Sequence, residues 1–475
     1  MYGFKLATNA RRHLWWLSEL KASVERCKFT CRRVWSSTDG RAVDRPNVIV
    51  ISVDSMACKH LSCYGYPHVT SPNMDKLAEV GVLFENVIAQ SNWTKPALAS
   101  LVTGLYPFVH KTDAQGETGD RVDVEVRNSA HVLDKRFRTM AQEFKDGGYA
   151  TAGFSNGGYA HSFFGFGRGF DVYENTAGGL KSCSYRLLQW ILDHSTEPFM
   201  AWIHAWDAHF PYMDRPPYNR RFVRRRAPIR LDAANRHAIN SGARTITNVE
   251  LEFLRGLYDG AIGYVDALIG DLVRELSRLK RSDNTLIVIS ADHGEAFMEH
   301  GYVEHTACLH SEVLRVPLIL TGPGLPRGRR IPAQIRSIDI MPTVLRLCGL
   351  HPQAKTQGVS LLPWITGDVN TDLLAASETE RGGGQVAVSD GRFKIIRQNA
   401  DRRLYVYDVR ADVDETTDIS MSCPGIREMM EFQLEAWQEE VAHLADRYWS
   451  DASTAESLEM KADVVDRLRA LGYVE

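Results

Sequence analysis

NVIVISVD (residues 47–54) and TLIVISADHGE (residues 285–295) are the two stretches that decide the fold. Each begins as an unbroken apolar and largely β-branched run, which is typical of a strand buried in a parallel sheet. Each run leads into acidic residues, and open α/β sheets assemble their sites at the carboxyl ends of their strands. We therefore expect Asp54 to meet Asp292 and His293 at one edge of a sheet.

Strand and helix patterns alternate between and beyond these two stretches. The longest helical pattern covers residues 249–279 and contains no proline. Helices alternating with apolar strands indicate parallel strand pairing with helical crossovers. The sequence therefore predicts an α/β fold with a doubly wound, mostly parallel sheet sandwiched by helices.

The pattern changes near residues 364–370. Residues 385–398 and 402–415 alternate apolar and polar side chains, as antiparallel strands do, and helical patterns at 425–445 and 455–472 close the chain. We predict three parts, which are a basic N-terminal segment (1–45), a catalytic domain (46–370) and a smaller C-terminal α+β subdomain of the same fold (371–475).

Charge and cysteine content narrow the classes of function. The chain has 475 residues, 56 basic and 59 acidic, with a formal charge of −3, so a nucleic-acid partner is not expected. Eight scattered cysteines do not form the dense framework of a small secreted domain. Cys27 and Cys31 have no second cysteine or histidine pair nearby, so a structural zinc site is not expected there.

The N-terminal 45 residues carry a net charge of +6. Residues 11–26 form a helical pattern with one apolar side and one basic side, which suits a membrane interface or docking on this protein or an oligomer partner. We recognise no apolar stretch of about 20 residues and no signal peptide. The expected location is the cytoplasm, with peripheral membrane contact through residues 11–26 as an alternative.

Four residues of the expected sheet edge have the chemistry of a metal-assisted ester site. Asp54, Asp292 and His293 supply lone pairs for a divalent cation, and the Thr94 hydroxyl could be the fourth ligand. Thr94 stands where a helix would begin, and free backbone N–H groups at a helix start favour an anionic ester group. A metal on its oxygen would make Thr94 a nucleophile. Thr94 could instead be a helix cap.

A family resemblance extends over nearly all of residues 46–475. The order and spacing of several motifs resemble those of the sulfatase family within the alkaline phosphatase superfamily. The matching stretches are NVIVISVDSMACKHLSCYGYPHVTSPNMDKLAEVGVLFENVIAQ, ALASLVTGLYP, GFGRGFDVYE, HAWDAHFPY, SADHGEAFMEHGYVEH, EVLRVPLILTGPG, SIDIMPTVLRLCGL, GVSLLPWITG and LRALGY. The resemblance implies an ester hydrolase.

The chain departs from the family at the nucleophile. Sulfatases carry CxPSR or SxPSR, whose first residue becomes formylglycine, whereas residues 94–98 read TKPAL. Thr94 resembles instead the nucleophile of phosphoethanolamine transferases and nucleotide pyrophosphatases. His204, His209 and His305 resemble histidines that bind the substrate or protonate its leaving group, and Lys95 could compensate charge. Because the transferases have a membrane anchor and none is recognised here, a hydrolase is the closer match.

The ligand set favours zinc or manganese, with calcium as a further option. An imidazole, His293, follows Asp292, and Ser55 stands where many sulfatases have a second aspartate. Asp207 is a candidate ligand for a second metal, although its spacing to His209 is shorter than in two-metal relatives.

The sequence thus predicts a metal-dependent hydrolase that cleaves an anionic phosphate or phosphonate ester through a covalent Thr94 intermediate. Two alternatives stay open, a sulfuric ester hydrolase that works without formylglycine and a catalytically silent protein that binds an anionic glycan or lipid. Residues 218–230 contain six arginines and form either a solvated loop or an anion-attracting surface.

Overall fold

A computed structural model describes residues 45–113, 129–194, 197–450 and 457–459. The amphipathic pattern at 11–26, Cys27 and Cys31 lie outside these residues, as does most of the helical pattern at 455–472. Among the described helices, not one has the length and apolar character needed to cross a bilayer.

The strands build one large sheet and three smaller ones. Their bounds are β1 Asn47–Val53, β2 Val82–Ile88, β3 Ser129–His131, β4 Ala150–Ser155, β5 Val172–Asn175, β6 Phe199–Ala205, β7 Thr285–Ala291, β8 Ala296–Phe297, β9 Val303–Glu304, β10 Arg315–Thr321, β11 Arg329–Arg336, β12 Ala375–Thr379, β13 Gln385–Ser389, β14 Phe393–Gln398, β15 Leu404–Asp408 and β16 Ser457–Glu459.

The large sheet has eight strands in the order β11-β2-β10-β7-β1-β6-β4-β5. All its neighbouring pairs are parallel except those of β10, which runs antiparallel to β2 and β7. The central strands β1 and β7 are buried along their whole length, as expected of apolar runs covered on both faces. The prediction of a mostly parallel α/β sheet is confirmed.

Helices cover both faces of this sheet. Their bounds are α1 Pro72–Val80, α2 Thr94–Thr103, α3 Pro107–His110, α4 Met140–Asp146, α5 Gly179–Asp193, α6 Ala233–Asn240, α7 Asn248–Arg278, α8 Ser311–Leu314, α9 Ile340–Leu347, α10 Leu362–Thr366 and α11 Pro424–Trp449. Helices α2, α4 and α9 contact one another, and α7 contacts α1 and α5. Helix α7 begins at a capping box between Thr247 and Glu250, which satisfies two of its free N–H groups.

Register fixes where the site can form. Val53 of β1 lies beside Ala205 of β6 and Ala291 of β7, so all three strands end at the same level. Asp54, the residue directly after β1, donates its backbone N–H to the Ala205 carbonyl at 2.7 Å. The carboxyl ends of the central strands therefore meet, as the sequence predicts.

The C-terminal part contains an antiparallel sheet in the order β12-β13-β14-β15, with α11 against β13 and β14. The alternating pattern is thereby confirmed as antiparallel strands at 385–398 and 404–408, whereas residues 409–415 form no strand. The boundary near residue 371 stays a prediction. The helical prediction is wrong at residues 457–459, which pair with β3 as a short strand. Pairing with a distant strand overrides local helical preference there.

Candidate metal and ester site

Asp54, Asp292 and His293 lie together at the carboxyl edge of the large sheet. All three are buried, and one potential ligand atom from each lies within 4.8 Å of the others. Ser55 turns the chain sharply after β1 with a φ of 60°, a conformation that costs energy for a non-glycine residue. Its backbone N–H donates to Asp292 Oδ1 at 3.2 Å, so this strained turn joins the ends of β1 and β7.

The spacing of these atoms suits a single cation. His293 Nε2 is 3.5 Å from Asp54 Oδ1 and 3.4 Å from Asp292 Oδ2. Ligands about 2.0–2.1 Å from a tetrahedral zinc lie roughly 3.3–3.4 Å from one another. His293 Nδ1 bonds to the Gly294 carbonyl at 3.0 Å, which leaves Nε2 as the lone-pair nitrogen. The residues therefore fit a divalent cation.

One buried oxygen strengthens this fit. Asp292 Oδ1 accepts the backbone N–H groups of Ser55 and His293, but Oδ2 makes no hydrogen bond among the described residues. A buried polar atom without a partner costs about 1–3 kcal/mol, so native structures rarely keep one without a purpose. A cation is the partner that this oxygen can take.

Thr94 is the first residue of α2, and its side chain faces the same atoms. Its Oγ1 lies 3.4 Å from Asp54 Oδ2 and 3.4 Å from His293 Nε2. The preceding residue, Trp93, has extended backbone and no side-chain cap, so the helix start offers its free N–H groups and positive dipole end. The expectation that Thr94 opens a helix beside Asp54 is therefore met in the structure.

Three further histidines lie around this centre. His204 Nε2 is 3.6 Å from Asp54 Oδ2, and its Nδ1 pairs with Ser52 Oγ at 2.9 Å. The ring of His305 lies 4.1 Å from that of His293 and 5.2 Å from that of His209, measured between centroids. The structure thus places every histidine predicted for the site in one cluster.

His305 is held by carboxylates that sequence reasoning missed. Its Nδ1 bonds to Glu295 Oε2 at 2.7 Å, and its Nε2 lies 3.2 Å from Glu304 Oε1. The Tyr212 hydroxyl donates to the other oxygen of Glu295. Glu295 stands in the DHGE segment, next to the predicted ligands Asp292 and His293. Its position in the sequence could therefore have indicated a role in the site. Glu304 reaches the site through the β8–β9 hairpin.

The local charges shift the pKa values in opposite directions. Burial alone would raise the pKa of Asp54, but His209, His204 and His293 hold it well below its ordinary value. Burial and the charge of Asp54 raise the pKa of Asp292 well above its ordinary value. Two acids with pKa values driven apart in this way are typical of a functional site.

The histidine pKa values also diverge. Burial, with help from His305, lowers the pKa of His293 and keeps its imidazole neutral, which is the form that binds metals. Burial likewise lowers the pKa of His209. Burial opposes the charged form of His305, but Glu304 and Glu295 outweigh it and raise the pKa of His305.

Lys95 lies on the flank of the cluster. It is buried, and its Nζ lies 5.3 Å from the Trp93 ring centroid and 5.9 Å from those of Tyr159 and Phe164. Burial lowers the pKa of Lys95 to about 7. Its ammonium therefore lies beside aromatic rings, where the charges of Asp113 and Glu380 favour its protonated form.

Asp207 has a structural position instead. It accepts the backbone N–H of Leu180 at 2.6 Å near the start of α5 and forms an ion pair with Arg215 at 3.0 Å. A Cβ on Gly179 would clash with its carboxylate at 2.3 Å, so Asp207 is packed tightly against that helix start. Both its oxygens are engaged, which does not suit a ligand for a second metal.

Two further groups of residues make contacts of their own. The rings of His300 and His310 stack with centroids 3.5 Å apart, and His300 bonds to Glu312 at 2.7 Å. The arginines of residues 218–230 are exposed, and Arg226 pairs with Asp214.

An α/β sheet whose carboxyl edge gathers a helix-start hydroxyl, two carboxylates and an imidazole defines an ester hydrolase of the alkaline phosphatase-like class. The sulfatase family model matches residues 46–350. The chain belongs to the sulfatase family.

Known proteins agree with this assignment. A sulfatase of Formosa agariphila is 25% identical over 71% of this chain and 76% of its own length. The choline-sulfatase of Rhizobium meliloti is 23% identical over 90% of this chain and 92% of its own. The crystal structure of a phosphonate monoester hydrolase of Agrobacterium radiobacter has the same fold, with a TM-score of 0.67 and 23% identity, covering 85% of this chain and 96% of that one.

Proposed function

We propose that the protein is a metal-dependent hydrolase that cleaves a phosphate or phosphonate ester through a covalent intermediate on Thr94. The observation that carries the proposal is the position of the Thr94 hydroxyl, 3.4 Å from both Asp54 and His293 at the start of α2. Threonine cannot give the aldehyde of formylglycine, so a side-chain alcohol is the nucleophile that this chain offers there.

Asp54, Thr94, Asp292 and His293 would hold one divalent cation, with zinc or manganese preferred over calcium. The imidazole of His293 and the hydroxyl of Ser55, in place of another carboxylate, support that preference. When bound, the cation supplies charge that lowers the pKa of an alcohol and offsets the negative charge of the ester oxygens.

The residues themselves account for the remaining steps. Thr94 Oγ1 loses its proton to solvent and attacks phosphorus, the phosphorus–oxygen bond to the alcohol breaks, and the N–H groups at the start of α2 donate to the non-bridging oxygens. Thr94 regains a proton from solvent when the phosphoryl group later leaves it. His305 or His209 gives a proton to the departing alcohol oxygen, and the same group then takes a proton from water that releases the phosphoryl group from Thr94. Glu295 keeps the His305 ring in one orientation through the 2.7 Å bond to Nδ1.

Hydrolysis of a sulfate ester by the same residues is the second candidate. Relatives from Formosa agariphila and Rhizobium meliloti are named as sulfatases, and the latter as a choline-sulfatase. A sulfuryl group is tetrahedral like a phosphoryl group but carries less charge. Thr94 could attack it from the same position.

Turnover of a matched ester series tests the proposal. Metal-reconstituted protein is assayed with nitrophenyl phosphate, phosphate diester, phosphonate and sulfate. Thr94→Ala is compared with Thr103→Ala, which removes a buried hydroxyl at the other end of the same helix, where Thr103 bonds to the Ala99 carbonyl. We expect phosphorus-ester turnover that Thr94→Ala abolishes and Thr103→Ala retains.

Other outcomes decide between the alternatives. Turnover of the sulfate alone would replace the phosphorus substrate by a sulfuric ester. Metal bound at one equivalent without turnover of any ester would favour a protein that binds an anionic glycan or lipid and does not cleave it. Full activity of Thr94→Ala would rule out the covalent intermediate.

A further inference from the structure

Arg381 of the C-terminal part lies next to the residue that precedes Thr94. It follows β12, and its guanidinium carbon lies 3.9 Å from the centroid of the Trp93 ring and 5.8 Å from that of Tyr159. Trp93 is buried and its backbone leads directly into α2. Arg381 therefore packs against the residue that precedes the nucleophile, although it comes from the turn between β12 and β13.

The turn that carries Arg381 also contacts the segment that follows His305. A Cβ on Gly382 would lie 3.3 Å from the carbonyl oxygen of Ala307, and Gln385 Nε2 donates to that same carbonyl at 3.2 Å. The turn that carries Arg381 thus contacts both the residue before Thr94 and the segment that follows His305.

The Arg381 guanidinium lies near the buried carboxyl of Asp113, and its charge partly offsets the rise in pKa that burial causes at that carboxyl. The Arg381 Nε is buried and has no hydrogen-bond partner among the described residues. One oxygen of Asp113 accepts the Trp93 indole N–H at 2.5 Å, and the other accepts the Glu380 backbone N–H at 2.9 Å. Lys95 lies against the same Trp93 ring, so two cations share one aromatic side chain.

From this arrangement we infer the class of the substrate. We propose that the ester carries a second oxyanion on its alcohol part, a carboxylate, sulfate or phosphate, and that Arg381 binds this group. The inference rests on the proposed function, because it assumes an ester at Thr94. A partly buried guanidinium whose Nε–H has no hydrogen-bond partner among the described residues matches the oxygens of an oxyanion.

A pair of substrates that differ only in charge tests the proposal. The 4-carboxyphenyl and 4-carbamoylphenyl esters of one phosphonate are compared by their ratio of kcat/KM. Charge-assisted hydrogen bonds in a partly buried site correspond to a preference of roughly 10–100-fold for the carboxylate. We expect wild type to show this preference. The ratio of kcat/KM values should fall at least about tenfold in Arg381→Gln, and Arg381→Lys should be intermediate.

Two controls distinguish anion binding by Arg381 from a purely structural role. Arg403→Gln removes an exposed arginine that pairs with Asp401 in the same part of the fold, and the ratio should be unchanged. Arg381 could serve only to hold Trp93. In that case Arg381→Gln would slow both esters equally and leave the ratio intact, which would overturn the proposal, as would a wild-type ratio near one.

Failure of the proposed function gives a different result. If neither ester turns over, calorimetry with metal-loaded Thr94→Ala compares binding of the two esters, alone and combined with Arg381→Gln. If the carboxyphenyl ester binds more tightly than the carbamoylphenyl ester, and Arg381→Gln removes this difference, the anion site is supported and ester cleavage at Thr94 is rejected. Equal binding of both esters would reject the anion site as well.

Discussion

Asp292→Asn tests whether Asp292 is a metal ligand or a purely structural aspartate. If Asp292 is a ligand, the substitution should raise the stability of the metal-free protein and weaken metal binding. The asparagine carbonyl can replace Oδ1 and accept the N–H groups of Ser55 and His293. Its NH2 then takes the place of Oδ2, 3.4 Å from His293 Nε2, and can donate to that nitrogen. The fold is preserved, but the oxygen that faces the other ligands is lost.

The metal-free protein should become more stable. Ligand atoms of Asp54 and Asp292 lie within 4.8 Å, and two unit charges at that distance repel by about 3 kcal/mol at an effective dielectric constant of about 20. Protonation of Asp292 already relieves part of this repulsion, which leaves a gain of about 1–3 kcal/mol. For a chain of this size we expect Tm to rise by roughly 1–3 °C.

The pH dependence follows with a defined sign. Burial and Asp54 raise the pKa of Asp292 above its unfolded value of 3.8. An acid whose pKa is higher in the folded state than in the unfolded state contributes its full stability below the unfolded pKa. This contribution is lost as the pH rises towards the folded pKa. Metal-free wild type should therefore lose stability as the pH rises above about 4. This loss should be smaller in Asp292→Asn.

Metal binding should fall sharply in the same variant. Residues that only orient a ligand cost 10–100-fold in affinity, so losing the ligand itself should cost at least about 100-fold. Zinc at about 100 times the wild-type Kd stabilises wild type by about 2.7 kcal/mol and should stabilise the variant by at most about 0.4 kcal/mol. Zinc titration calorimetry and thermal melts with and without metal measure both effects.

Asp266→Asn is the matched control. Asp266 is buried and accepts the N–H groups of Asn73 and Met74 at the start of α1. Its loss should lower Tm and leave zinc affinity intact. The assignment of Asp292 is refuted if Asp292→Asn binds zinc within a few-fold of wild type.

Three other changes have defined outcomes. His305→Gln should lower kcat by about 10²–10⁴-fold for an alkyl ester and by much less for a nitrophenyl ester, which needs no proton on leaving, and an equal loss for both would argue against proton donation. Asp207→Asn weakens the bonds to Leu180 and Arg215 and should cost about 1–3 kcal/mol in a denaturant titration. The metal content should not change, and the loss of one metal equivalent would contradict the structural role. Burial raises the pKa of Asp113 to about 7, so wild type should lose up to roughly 3–4 kcal/mol between pH 4 and pH 8. The same titration of Asp113→Asn should show a flatter pH profile, and an unchanged profile would assign the pH dependence elsewhere.

The proposed metal ligands could be placed together from the sequence because their positions follow from strand register. Asp54 and Asp292 each come directly after a buried apolar strand, and neighbouring parallel strands end at one edge. Thr94 could be placed because a helix start is visible in the sequence. His204, His209 and His305 came from the family resemblance and not from periodicity.

The partners of these residues could not be predicted in the same way. Glu295 reaches His305 through a hairpin of two-residue strands, which leaves almost no pattern in the sequence. Arg381 reaches Trp93 across nearly 300 residues, by packing between two sheets. Asp207 lies among predicted site residues in the sequence, but it turns towards the start of α5. Side-chain direction at a strand end depends on tertiary packing, which local spacing does not encode.

The central claim is that Thr94 becomes covalently attached to the phosphoryl group, and rapid-quench mass spectrometry tests it most directly. Metal-loaded protein is mixed with a nitrophenyl phosphonate, quenched in acid within one turnover and digested. We expect a mass increase of one phosphonyl group on the peptide that contains Thr94, formed with the nitrophenol burst and absent from Thr94→Ala. Turnover by wild type without any adduct, or an adduct on another residue, would contradict the account.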